Sequence, residues 1–173
     1  MRNIELKARL RDWDAAAAAC ERVGARLEGD IRQVDTFFRV PEGRLKMRTS
    51  EPGESCLIYY RRPDVAAVKG SDYLLEPVRP SMGILLNASF GTLGEVRKVR
   101  TLWLWENVRI HLDRVEGLGQ FIEFEAVLSG TYDDTDGYAK LAHLREVFGI
   151  GDSDLLTGSY FDLLTNRQSA LET

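Results

Sequence analysis

The chain has 173 residues, 44% of them hydrophobic, and a formal net charge of −4. That is apolar material for one domain with a core, so residues 1–173 are expected to form a single domain, and the acidic balance argues against nucleic acid or an anionic membrane as partner. No apolar run is long enough for a transmembrane helix and the first residues read as a strand rather than a signal peptide, so the expected location is the cytoplasm. The chain opens with Asn3, Glu5, Lys7 and Arg9 alternating with Ile4, Leu6, Ala8 and Leu10, the period of a strand with one polar and one apolar face. Asp12 can then cap a helix whose apolar stripe is Trp13, Ala16, Cys20, Val23 and Leu27, closed by Gly29.

Strands are expected near 32–39 and 44–50, joined at Pro41-Glu42-Gly43, then near 56–62 and 72–79. Pro80 and Ser81 open a short helix ending near Gly91. Three strands follow at 94–105, 108–115 and 120–128, linked by Glu106-Asn107 and by Glu116-Gly117-Leu118-Gly119. Tyr138, Leu141, Leu144 and Phe148 trace a helix up to Gly149, and a last helix beginning at Asp152 or Ser153 carries Leu155, Leu156, Leu163 and Leu164. This order of about eight strands and three or four helices reads as α+β, a closed eight-stranded antiparallel β-barrel with flanking helices. Cys20 and Cys56 lack metal-type spacing and read as small packing residues.

Charged residues recur at period two along several strands. Arg44, Lys46 and Arg48 flank Leu45 and Met47, Lys98 and Arg100 flank Val99, Arg109, His111 and Asp113 alternate with Ile110 and Leu112, and Glu123 and Glu125 flank Phe124. On a solvated sheet these would be outer faces. Turned into a barrel, they converge, and two unit charges about 5 Å apart at an effective dielectric near 20 repel by about 3 kcal/mol. Inward carboxylates offset part of that repulsion and a polyphosphate the rest, because Arg forks and Lys ammonium groups match phosphate oxygens.

These residues resemble the CYTH superfamily of triphosphate tunnel metalloenzymes over nearly the whole chain. Asn3-Ile4-Glu5-Leu6-Lys7 is similar to its Glu-x-Glu-x-Lys opening. Asp35-Thr36-Phe37-Phe38 with Gly43-Arg44-Leu45-Lys46-Met47-Arg48 resembles the second block, and Tyr59-Tyr60-Arg61-Arg62-Pro63 the third, with Arg61 where Lys is usual. Lys98-Val99-Arg100 and the run from His111 to Glu125 complete the likeness. That run, with Ser159-Tyr160 and Leu163-Leu164, is most like the class IV adenylyl cyclase branch.

The resemblance implies roles. Lys7, Arg9, Lys46, Arg48, Arg61, Lys98, Arg100 and Arg109 would bind the triphosphate. Glu5, Asp113, Glu123 and Glu125 would hold Mg²⁺ or Mn²⁺, and Glu5, Lys7 and Glu123 would be catalytic. The amide of Asn3 replaces the family's first glutamate and holds a hard cation less firmly, which bears on whether one ion or two is bound.

Three activities are compatible: cyclisation of ATP to cyclic AMP and pyrophosphate, hydrolysis of inorganic tripolyphosphate or an organic triphosphate such as thiamine triphosphate, and non-catalytic sensing of a triphosphate. The expected partner is that small molecule, with the protein a monomer or a homodimer. Trp103, Trp105, Tyr59 and Tyr60 read first as packing residues, His111 as a positioning or surface residue and His143 as solvated.

Overall fold

The computed structural model describes residues 2–61 and 67–171. Its strands are β1 (Arg2–Arg9), β2 (Arg26–Phe38), β3 (Arg44–Glu51), β4 (Cys56–Arg61), β5 (Lys69–Pro77), β6 (Thr92–Trp105), β7 (Val108–Val115) and β8 (Gly119–Val127). All neighbours are antiparallel, and the order β1-β5-β4-β3-β2-β6-β7-β8 closes into a barrel when β8 pairs back with β1. The helices are α1 (Trp13–Arg22), α2 (Met82–Phe90), α3 (Asp134–Val147) and α4 (Tyr160–Leu171). None of them is long and apolar enough to cross a membrane. Arg62 and Pro63, the end of the third block, lie outside the described residues.

The apolar faces of β1, β7 and β8 point outward. Ile4, Leu6 and Ala8 join Val108, Ile110, Leu112, Ile122 and Phe124 in a fully buried layer under Ala16 and Cys20 of α1 and Leu141 and Leu144 of α3. Helices therefore cover the outside of this part of the wall, and strand alternation sends the charged residues inward. A second cluster, with Phe37, Val96, Phe121, Leu156 and Tyr160, forms an apolar floor. There α4 docks by stacking Phe161 on Phe37 at 4.8 Å between ring centroids. Asp12 caps α1 through Ala15 N–H at 2.9 Å, and Asp133 and Asp136 form a reciprocal capping box on α3.

Three expectations are corrected. Helix α1 stops at Arg22, not Gly29, because Gly24 adopts φ +74° and the next residues pair with β6, Leu27 opposite Trp103. Leu27 is accordingly half exposed, and Gly29 marks a register shift. Strand β5 begins at Lys69 rather than 72, which sets Lys69 opposite Glu5.

The final helix is also divided. Asp152–Asp154 is one 3-10 turn, after which the chain runs extended and donates Leu156 N–H to the Lys7 carbonyl at 3.0 Å. Helix α4 starts only at Tyr160, after Gly158 at φ +72°, with Ser159 N–H and hydroxyl both donating to Asp162. Leu155 and Leu156 thus belong to a strap across the end of β1, not to a helix.

Candidate active site inside the barrel

The inward residues surround a cavity that, with its mouth, amounts to about 820 Å³. Its described wall carries six cationic side chains, Lys7, Lys46, Arg48, Lys98, Arg100 and Arg109, against four carboxylates, Glu5, Asp35, Glu123 and Glu125. Full ionisation leaves a surplus of two positive charges (6 − 4). A closed sheet turns its polar face in on itself and concentrates that surplus in one place.

Asp35 and Glu123 between them contact five of these six cations. Asp35, 3% exposed, accepts Arg48 Nε at 2.6 Å and Nη2 at 2.8 Å in a bidentate fork, Lys46 Nζ at 2.9 Å and Lys98 Nζ at 3.1 Å. Strand pairing sets this up, because Asp35 lies opposite Arg48 on β3, while Lys98 on β6 pairs with the neighbouring inward residue, Gln33. Glu123 accepts Arg100 Nη2 at 2.7 Å and lies 3.4 Å from Lys7 Nζ. Lys7 also sits 4.0 Å above the centre of the Tyr160 ring.

Burial and charge act in opposite senses on these groups. Burial by itself would raise the Asp35 carboxyl, but Arg48, Lys46 and Lys98 hold it well below the usual carboxylate range. Glu123 is likewise held well below it, with Lys7 and Arg100 overcoming the burial penalty. The lysines respond differently. Burial pushes Lys98 down to about 7 against the pull of Asp35, with Arg48, Arg100 and Lys46 adding to the fall. Lys46 is pushed down to about 8 by burial, again against Asp35 and with Arg48 and Lys7 contributing.

Glu5, Lys7, Lys46, Arg48, Lys98, Arg100, Arg109, Glu123 and Glu125 all come to this one cavity, and Asn3 stands beside them. Arg9, Arg61 and Asp113 do not. Arg9 keeps the strand period but lies at the end of β1, exposed, where the barrel wall stops. Arg61 ends β4, exposed and bound to Glu42 Oε2 at 2.6 Å and to the Tyr59 hydroxyl at 2.8 Å. Asp113 faces inward opposite Arg100 but is fully buried beneath it, with both oxygens taken by Arg100 at 2.7 Å each and Oδ2 also accepting the Tyr160 hydroxyl at 2.8 Å. A carboxylate so satisfied braces Arg100 rather than offering an open oxygen to a cation.

Sequence reasoning passed over Asp35 as a site residue, although it shares the inward period with Gln33 and Phe37. It also left out Tyr73 and Tyr160, which line the cavity with Tyr60. The other aromatics behave as packing residues. Trp103 is buried in the outer layer and Trp105 packs near the exposed His143, 5.8 Å between centroids. His111, by contrast, is not at the surface. It is 3% exposed, and burial followed by the charge of Arg100 lowers its pKa, so the neutral imidazole is favoured.

Known proteins share this architecture. The chain is 21% identical to a Methanocaldococcus jannaschii protein named as a candidate adenylate cyclase, over 94% of this chain and 98% of that one. Among solved structures, the PH1012 protein of Pyrococcus horikoshii superposes with a TM-score of 0.81 at 26% identity, covering 93% of this chain and 98% of its own. A Hippeastrum protein described as a candidate adenylyl cyclase with a dominant triphosphatase activity superposes at 0.65 with 18% identity, covering 91% of each chain. The family model for the CYTH domain matches residues 1–160, and with nearly the whole chain so matched, this protein belongs to the CYTH family.

Proposed function

We propose that this protein is a metal-dependent enzyme that breaks a phosphoanhydride bond of a triphosphate-bearing substrate held inside the barrel. The observation that carries this reading is the excess of inward cations, held by the buried carboxylates Asp35, Asp113 and Glu123. Lys46, Arg48 and Lys98 share a single anion, Asp35, so most of their N–H donors remain to meet phosphate oxygens. Their positions are set before substrate arrives, which spares the reorganisation that catalysis in water requires.

The donors on the opposite wall suit a hard divalent cation such as Mg²⁺ or Mn²⁺. Glu5, Glu123 and Glu125 supply carboxylates, and the Asn3 side-chain oxygen is buried without a hydrogen-bond partner. Such an ion, when bound, would neutralise phosphate charge and bring the attacking oxygen towards phosphorus. Lys7 and Arg100, both against Glu123, would meet the charge that develops on the departing phosphate.

Cyclisation of ATP is the leading reaction. The ribose 3′-hydroxyl attacks the α-phosphorus, the bond to the bridging oxygen breaks, and pyrophosphate leaves along the basic strands. The rings of Tyr60 and Tyr73 give the cavity flat apolar surface beside its charged wall, and the archaeal relative carries a cyclase name. Hydrolysis is the second reading, favoured by the activity ascribed to the Hippeastrum protein and by a charge surplus suited to a free terminal phosphate.

Incubation with ATP, tripolyphosphate and thiamine triphosphate, each with Mg²⁺ or Mn²⁺, separates the possibilities. Cyclic AMP release identifies the cyclase and orthophosphate release the hydrolase. Binding without turnover in every arm would overturn the enzyme reading and leave a sensor.

A further inference from the structure

The inward faces of β7 and β8 bring three metal-ligating side chains together. Ligand atoms of His111, Glu123 and Glu125 all lie within 4.8 Å of one another. His111 and Glu123 are direct cross-strand partners, and Glu125 follows two residues on along the same face. Nδ1 of His111 is buried, has no hydrogen-bond partner, and lies 3.9 Å from Glu123 Oε2, too far for a hydrogen bond. A buried, unpartnered imidazole nitrogen costs desolvation energy that a bound cation would recover. Asp113, two residues beyond His111 on β7, cannot take that place, because Arg100 and Tyr160 already occupy its oxygens.

We propose that His111 is an inner-sphere ligand of the catalytic cation, giving a mixed nitrogen and oxygen site with Glu123 and Glu125 that selects Mn²⁺, Co²⁺ or Zn²⁺ over Mg²⁺. This deepens the metal-dependent reading of the barrel and rests on it. Imidazole nitrogen suits borderline transition metals, whereas Mg²⁺ favours oxygen ligands and retains its waters, so a nitrogen donor adds little for that ion. Glu123 stays available as a carboxylate ligand because Arg100 and Lys7 are both directed at Oε2, and the residue still lines the cavity. Selectivity here would come from a single side chain in an otherwise acidic set.

The chain contains only two histidines, which makes the test direct. Protein labelled with ¹⁵N-histidine is loaded with ¹¹³Cd²⁺, and His143, exposed beside Trp105, serves as the internal control. The expected result is a one-bond ¹⁵N–¹¹³Cd coupling at His111 alone. In parallel, titration calorimetry of His111→Gln should show Mn²⁺ affinity falling by roughly tenfold or more while Mg²⁺ affinity changes less than about twofold. A bound-cadmium resonance without nitrogen coupling, or an unchanged preference between Mn²⁺ and Mg²⁺, overturns the role of His111 and leaves the carboxylate site standing. Absence of any Cd²⁺ or Mn²⁺ binding to the wild type overturns that site as well.

Discussion

Lys98 and Asp35 meet inside the barrel wall, the ammonium 3.1 Å from the carboxylate and both side chains almost wholly buried. Asp35 holds Lys46 and Arg48 by the same two oxygens, so one anion keeps three cations from repelling each other apart. Attraction and repulsion are both strong at this spacing, and the balance depends on a single negative charge.

Asp35→Asn should therefore destabilise the fold by about 3–5 kcal/mol, the usual cost of leaving a buried charge network without its partner. Urea unfolding followed by circular dichroism measures this. A midpoint equal to the wild type would show that the three cations do not depend on Asp35.

Binding of triphosphate should take up protons. In the free protein Lys98 lies at about 7 and Lys46 at about 8, and phosphate oxygens against either lysine favour its charged form and raise its pKa. The complex then holds more protons than the separate components. The contribution of the two lysines to affinity is fully present below about 7, where both are already charged, and is lost as pH rises through about 7 and then about 8. Calorimetry in buffers of different ionisation enthalpy checks the sign. Proton release across this window would contradict it.

The arginines should divide by position and not by sequence pattern. Arg48→Ala removes an inward charged donor and should weaken substrate capture by about 1.5–3 kcal/mol. Arg9→Ala and Arg61→Ala change exposed side chains outside the cavity and should leave it essentially unchanged. Michaelis constants for the three variants decide the matter, and equal losses would place Arg9 and Arg61 on the substrate path.

Gly137→Ala tests the seat of α3 on the barrel. A methyl group there would come within 2.8 Å of Ile4 Cγ1 and 3.2 Å of Leu128 Cδ2. Alanine gains about 1 kcal/mol in helix propensity, while overpacking costs about 1–3 kcal/mol, so net destabilisation is expected. Thermal unfolding gives the answer, with catalytic constants unchanged because Ile4 faces α3 and not the cavity.

Much of the fold was legible because strand alternation is local. The period of two in Asn3 to Leu10, in Arg109 to Asp113 and in Glu123 to Glu125 marks two-faced strands whatever surrounds them. The boundaries at Leu27 and at Leu155-Leu156 were not legible. There an apolar spacing compatible with a helix was captured by pairing with β6 in one case and by the strap along β1 in the other. Local propensity is worth tenths of a kcal/mol per residue and yields to such tertiary contacts.

Alternation alone determined that each strand carries one charged and one apolar face, since that follows from backbone geometry. It could not determine which face is inside. The closure of β8 onto β1, with α1 and α3 covering the outer apolar layer, decided that. Closure also decided which charges meet. Asp35 and Lys98 are 63 residues apart in the chain, and only strand register brings them together. The same period-two pattern left Arg9 exposed at the last paired position of β1 and turned Asp113 towards Arg100 and Tyr160, because where a strand ends and what packs around it are properties of the whole barrel.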